Sequence, residues 1–239
     1  MIQAEALMYI TKTTIDPVAI IIVFIITYLI GCFSMSYIIS KKAGINLKEQ
    51  GSKNYGASNT LALIGKKAGA IVLISDILKA IIAMTVSEPL YLIVSSIILN
   101  NRTRIIFPIN ELKLLEALTI VAVIIGHIFP IQIKFKGGKG FASYIGLVLY
   151  LSIVYRSILI IPIIAVIMAI VTNYIVAATF TVILLTPLYF IIIENNIFTA
   201  IAFTLISIII FIKHIENIKH IKDGSEMKIR EAFKNKYRQ

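Results

Sequence analysis

The sequence predicts an all-α membrane protein, a bundle of about seven transmembrane helices with its polar loops on one side of the bilayer. Three observations carry this. Of 239 residues, 59% are hydrophobic, with a mean hydropathy of +0.93, against roughly 45–50% apolar residues in a soluble domain. The apolar residues fall in repeated stretches near the length of roughly 20 residues that a spanning helix needs. Basic residues collect in alternate connections, as in inward-facing loops. No long Ser, Pro or Gly tract and no tandem repeat divides the chain, so residues 1–239 are expected to form one membrane domain.

The first span is expected at 18–39, centred on IIVFIITYLIGCF. Glu5, Lys12 and Asp16 precede it and no small-residue cleavage pattern follows, so it reads as a retained helix rather than a signal peptide. Cys32, the only cysteine, excludes an internal disulfide and a cysteine metal cluster, and reads as a small packing residue. The second span is expected at 68–88. An irregular connection, 89–113, follows it and holds a short apolar run, Leu90–Leu99. The third covers 114–133. Two spans share 141–172, broken near Tyr155, Arg156 and Ser157, and the last two cover 174–193 and 197–213.

An odd number of spans puts the termini on opposite sides. With the C-terminus inside, the inner face takes the lysines from Lys41 to Lys67, then Lys134, Lys136 and Lys139, and the basic tail from Lys213 to Arg238. The outer face keeps Lys12, Arg102, Arg104, Lys113 and Arg156. This asymmetry orients the chain with its N-terminus outside. It also accounts for the net charge of +11 without a nucleic-acid partner, and it favours anionic lipid headgroups.

Three polar segments fall on the inner side. In Gly51-Ser52-Lys53-Asn54-Tyr55-Gly56-Ala57-Ser58-Asn59, glycines and small polar residues allow tight turns with exposed backbone N–H groups; Ser52 can donate a hydrogen bond, and Asn54 and Asn59 can fix the loop. An ordinary turn before the second span is the competing reading. The second segment is His127-Ile128-Phe129-Pro130, then Lys134-Phe135-Lys136-Gly137-Gly138-Lys139-Gly140-Phe141-Ala142-Ser143, where glycines among lysines just before a helix suit an anion. The competing reading is a plain positive-inside turn. The segment is not a Walker loop, since no glycine stands at the required upstream position. The third segment, His214-Ile215-Glu216-Asn217, leaves the last span with His214 and Asn217 on one helical face and is followed by Gly224-Ser225-Glu226. His214 either holds a polar substrate, acts as a base, or merely caps the helix. Asp76 and Lys79, three apart within the second span, are expected to pair as structural support.

Other chemistries lack their residues. Five positions after His127, His214 and His220 stand Gln132, Lys219 and Ser225, so no His-x4-Asp acyltransferase element is present. HExxH, GxSxG and GxGxxG are also absent, and three histidines give little basis for a protein metal site.

Taken together, GSKNYGASNT, KFKGGKGFAS and HIENIKHIKDGSE, in that order, resemble the bacterial acyl-phosphate-dependent glycerol-3-phosphate acyltransferase family. Gly65–Gly69, Asp76–Lys79 and Gly126–Pro130 support the likeness, which runs from about Gly31 to Glu226. The resemblance implies catalytic loops on the cytoplasmic face of a bacterial cell membrane. It implies transfer of a fatty acyl group from acyl phosphate to the 1-hydroxyl of glycerol 3-phosphate, giving lysophosphatidate for phospholipid synthesis, with no cofactor. A soluble acyl-phosphate-producing enzyme would supply the donor. By the same resemblance Ser52, His214 and Asn217 are catalytic. Asn54, Gly56, Asn59, Lys136, Gly137, Gly138, Lys139 and Gly140 bind substrate, and Glu226 supports the local structure.

The chain departs from the family pattern at several positions. Ala62 and His220 stand where the family carries Arg, Asn46 where it carries an acid, and Lys48 where it carries Arg. Its Arg-Tyr-Val-Ser pattern is Asn173-Tyr174-Ile175-Val176 here, with Thr179 the nearest substitute hydroxyl for substrate binding. Ala62 removes a two-pronged anion clamp, for which Lys53 offers partial replacement charge. These departures leave open an inactive homologue that binds lipid precursors or partner enzymes; the charges within the second span leave open a transporter of a phosphorylated metabolite, against which most motif residues crowd one surface, as in an interfacial enzyme.

Overall fold

A computed structural model describes residues 16–98 and 109–234. Glu5, Lys12, Arg102, Arg104, Lys236 and Arg238 lie outside the described residues. Every regular element among the described residues is helical. α1 (Pro17–Cys32) starts at Asp16, whose carboxylate accepts from the Val18 and Ala19 N–H groups. The helix breaks at Phe33–Ser34 and resumes as α2 (Met35–Lys42), where Ser34 caps it through the Tyr37 N–H. α3 (Ala57–Leu63) is short, and α4 (Lys66–Ile98) is long.

α4 corrects one expectation. The run from residue 89 to 98 is not an irregular connection but the continuation of the second span, in one helix of 33 residues with Pro89 inside it. Pro89 removes one backbone donor, a loss membrane helices absorb where neighbouring groups satisfy the freed carbonyl. The rest of the expected connection, 99–108, lies outside the described residues.

α5 (Ile109–Ile128) is followed by a 3-10 turn (Ile131–Ile133), then α6 (Phe141–Leu151), a second 3-10 turn (Arg156–Leu159) and α7 (Ile160–Thr172). α8 (Ile175–Ile192), α9 (Ile197–Lys213), α10 (Ile215–Lys222) and α11 (Ile229–Lys234) follow. Among the described residues, four segments, Pro17–Lys42, Lys66–Ile98, Leu112–Ile133 and Ile175–Ile192, are long and apolar enough to cross a membrane; α9 with α10, bent by 43°, makes a fifth if the pair is one broken span. The stretch 141–172 does break near Tyr155. However, α6, with 11 residues, rises only about 16 Å, against roughly 30 Å of hydrocarbon. It is nonetheless buried in the bundle, with Tyr144, Leu147, Val148 and Leu151 at 0–1% exposure.

α5 lies at the centre, packed on α1, α4, α6 and α9. Glycines allow the closest crossings. A side chain at Gly126 would sit 2.2 Å from the Tyr28 carbonyl oxygen, and one at Gly31 would sit 2.3 Å from that of Val123, so α1 and α5 touch backbone to backbone. Ile21, Ile25, Ile74, Ile163, Leu184 and Leu205 face outward from their helices, all half-exposed or more. The polar groups turn inward: Thr27, Ser87, Thr119, Thr199 and Ser207 are buried. This inversion suits a hydrocarbon solvent.

Candidate active site

Asn59 organises the first motif. It is buried, and its side-chain amide donates to the carbonyls of Leu47, Gln50 and Asn54 at 3.0–3.2 Å. Its Oδ1 accepts the Ser52 N–H at 2.9 Å. One side chain thus closes the loop that a helix or strand would otherwise have to satisfy. Asn54 donates to the Ser52 carbonyl at 2.8 Å and to its hydroxyl at 2.9 Å. Gly56 caps α3, and its carbonyl accepts the Thr60 hydroxyl. Ser52 is partly exposed, with hydrogen bonds inside its own loop; Lys53 is exposed.

The glycine-rich turn locks the first motif against α5. Gly137 N–H donates to the Ile128 carbonyl and Gly138 N–H to that of His127. A side chain at Gly138 would lie 2.3 Å from His127 Nε2 and 2.8 Å from the Tyr55 carbonyl oxygen, so only glycine fits between them. Lys48 reaches the same turn, donating to the Gly137 carbonyl at 3.4 Å. Gly140 opens α6 in the left-handed region at φ 96°, so the α6 N-terminus faces the same turn.

The second and third motifs meet directly. Lys139 Nζ donates to Asn217 Oδ1, and Asn217 Nδ2 donates to Glu226 Oε1 at 2.7 Å. Glu226 also lies 3.7 Å from His220 Nδ1, through its other oxygen. The bend between α9 and α10 falls at His214 and aims Asn217 at Lys139. His214 Nδ1 lies 2.8 Å from the Ile210 carbonyl, which can only accept, so Nδ1 carries the proton and Nε2 keeps a free lone pair. Burial lowers its pKa to about 4; the Ile210 bond opposes this and the charge of Lys139 adds to it. At neutral pH His214 is therefore an uncharged acceptor. Burial likewise lowers the pKa of Lys139, against the attraction of Glu226 and Glu216. An anion beside Lys139 would replace the solvation it has lost.

Beneath the site Lys79 and Asp76 pair at 2.8 Å, both buried. Lys79 also donates to the Phe33 carbonyl, and Asp76 lies 3.5 Å from His127 Nδ1. Ser143 donates to the Asp76 carbonyl and lies 3.1 Å from His127 Nδ1. His127 therefore joins the ion pair to the glycine turn, a role its place in a hydrophobic run did not reveal. Thr179 is buried, and its hydroxyl donates to the Ile175 carbonyl within α8. Lys136 is exposed beside the turn. The sequence also gave no sign that the tail folds back: Asn173 accepts the Ile229 N–H on its carbonyl and the Arg230 N–H on its side chain, both at 2.9 Å. That strap passes from Glu226 to the start of α8, where the neighbouring Phe180 ring stands 6.4 Å from His214.

Residues 21–224 match the family model described as glycerol-3-phosphate acyltransferase. Similar proteins include a glycerol-3-phosphate acyltransferase of Clostridioides difficile (strain 630), 31% identical over 210 residues, covering 87% of this chain and 95% of that protein. Glycerol-3-phosphate acyltransferase 1 of Oceanobacillus iheyensis is 34% identical over 218 residues, covering 90% and 98%. The crystal structure of PlsY, an integral membrane glycerol 3-phosphate acyltransferase, in its glycerol 3-phosphate form, is similar with a TM-score of 0.74 at 26% identity, covering 90% of this chain and 99% of that one. Its lysophosphatidic acid form gives a TM-score of 0.71 at 25% identity.

Proposed function

This chain belongs to the glycerol-3-phosphate acyltransferase family, and on that premise we propose that it transfers a fatty acyl group from acyl phosphate to the 1-hydroxyl of glycerol 3-phosphate, releasing phosphate and lysophosphatidate. The observation that carries this reading is the meeting of Lys139, Asn217 and Glu226 beside a neutral His214. A cation, an amide and a free imidazole nitrogen in one place match a phosphorylated polyol: charge for its phosphate, directed hydrogen bonds for its hydroxyls.

In the proposed reaction, glycerol 3-phosphate lies against Asn217 and His214. The 1-hydroxyl oxygen attacks the acyl carbonyl, an ester C–O bond forms, and the anhydride C–O bond breaks, its electron pair leaving on phosphate. Lys139, the N-terminus of α6 and the Ser52 hydroxyl hold the donor phosphate and stabilise charge as it develops. His214 Nε2 accepts the hydroxyl hydrogen bond and orients the nucleophile. With its pKa near 4 it is a weak base, so the departing phosphate is the final proton acceptor. The anhydride is already activated, and positioning two anions supplies the remaining acceleration.

The wider assignment follows the same premise. In this reading the motif loops and C-terminus face the cytoplasm and the N-terminus lies outside, the side the excess of basic residues favours. A soluble enzyme that makes acyl phosphate supplies the donor. Purified protein given radiolabelled glycerol 3-phosphate and acyl phosphate is expected to form labelled lysophosphatidate. Folded protein that forms none would leave the reading of an inactive homologue. Uptake of label into sealed proteoliposomes without product would leave the transporter.

A further inference from the structure

The turn from Pro130 to Gly137 carries features that acyl transfer does not use. Lys134 and Phe135 both adopt the left-handed backbone, at φ 54° and 59°, a conformation that L side chains avoid. Hydrogen bonds from Lys134 N–H to Ile131, Phe135 N–H to Pro130 and Lys136 N–H to Ile133 hold it. The consequence is outward display of two apolar side chains, Ile131 and Phe135, 57% and 54% exposed.

Three lysines border this display. Lys48 donates to the Gly137 carbonyl and lies 5.5 Å from the Tyr55 ring centre. Lys213 lies 4.8 Å from the centre of the Phe129 ring. The Gly137-to-Ile128 hydrogen bond brings Lys136 beside Phe129. Burial lowers the pKa of Lys48, and the charges of Lys213 and Lys136 lower it further, so the three sense one another. None of them joins an ion pair among the described residues. Lys213 also borders the lipid-facing wall of α9 through the exposed Phe211 and Ile212. Lys139, by contrast, turns toward Asn217 on α10.

We propose that Lys48 and Lys213 form a headgroup site for an anionic membrane phospholipid, with Ile131 and Phe135 inserted among its acyl chains and Lys136, which the family resemblance assigns to substrate, at its border. Uncompensated positive charge beside outward apolar side chains at the end of a span matches a phosphodiester above hydrocarbon. An acyl phosphate shares the chemistry of phosphoryl group and acyl chain. The position beside the outer wall of α9 selects the bilayer lipid. This site goes beyond the transfer reaction and does not rest on it.

The chain contains no tryptophan, so Phe135→Trp installs a single fluorescent reporter. The full chain is reconstituted in phosphatidylcholine vesicles containing either brominated phosphatidylglycerol or brominated phosphatidylcholine. Quenching is expected at a several-fold lower fraction of phosphatidylglycerol. Adding Lys48→Gln or Lys213→Gln is expected to cut that preference about fivefold each, while Lys48→Arg and Lys213→Arg preserve it. Equal quenching by the two lipids, or a preference that survives both Gln changes, overturns the proposal. So does displacement of phosphatidylglycerol by a non-hydrolysable acyl phosphate analogue, which would assign the cluster to the donor. If a Gln variant fails to fold, the comparison of headgroups in the Phe135→Trp parent still decides.

Discussion

Gly138→Ala is the sharpest test of how the site is held together. The added methyl would lie 2.8 Å from the Tyr55 carbonyl oxygen, against about 3.4 Å for ordinary contact, and 2.3 Å from His127 Nε2. Neither neighbour yields cheaply. The Tyr55 carbonyl belongs to a loop pinned by Asn59, and His127 is fixed by Asp76 and Ser143. The first motif must therefore shift by about 0.6 Å or more relative to the glycine turn. Overpacking of this kind destabilises by about 1–3 kcal/mol. A misplacement near 1 Å can cost about a hundredfold in rate, so kcat/KM is expected to fall roughly tenfold to a hundredfold, with only a modest loss of thermal stability. Labelled acyl transfer measured beside thermal unfolding in detergent separates the two effects. Wild-type kcat/KM in a folded Gly138→Ala protein would refute the claim that this contact aligns the first and second motifs.

Four further outcomes follow from the same geometry. Asp76→Ala strands the buried Lys79 ammonium and is expected to cost about 3–5 kcal/mol; Asp76→Leu with Lys79→Met should recover most of it, as read by thermal unfolding. Asn217→Ala breaks the Lys139–Asn217–Glu226 chain. Leaving buried partners unsatisfied costs about 1–3 kcal/mol, so kcat/KM for glycerol 3-phosphate should fall roughly fivefold to 150-fold. Asn59→Ala removes the donors of three carbonyls, and proteolysis should then cut the 46–59 loop faster than in wild type.

The fourth concerns pH. Burial depresses the folded pKa of His214 to about 4, from about 6.5 for an ordinary histidine, so folding favours its neutral form. The stability this contributes is complete above about pH 6.5 and is lost as pH falls through about 4. The pH–rate profile should accordingly lack a His214 limb near pH 6.5. Such a limb, abolished by His214→Gln, would contradict the neutral assignment.

Much was already written in the chain. Hydropathy located the long spans, though not the shortness of α6 and α7, because each spanning helix must satisfy its own backbone bonds in lipid, which demands long apolar runs. The spans at 174–193 and 197–213 match α8 and α9 to within a residue or two. The ion pair was readable because Asp76 and Lys79 share a helical face, and the three motifs were readable because glycines, lysines and amides stand out against an apolar background. The expected connection began at Pro89, where the local preference for a break yields to the continuing helix.

What only the tertiary structure decided is who meets whom. Residues 78 positions apart, Lys139 and Asn217, share a hydrogen bond, and nothing in the local sequence encodes that distance. The same holds for Tyr55 against Gly138, His127 against Asp76, and Asn173 under the returning tail. Periodicity and composition determine how each segment sits in the bilayer, because that depends on its own surface. The pairing of loops depends on how far α1, α4, α5 and α9 approach one another, and that is set by side-chain volume at crossings such as Gly31 against Val123.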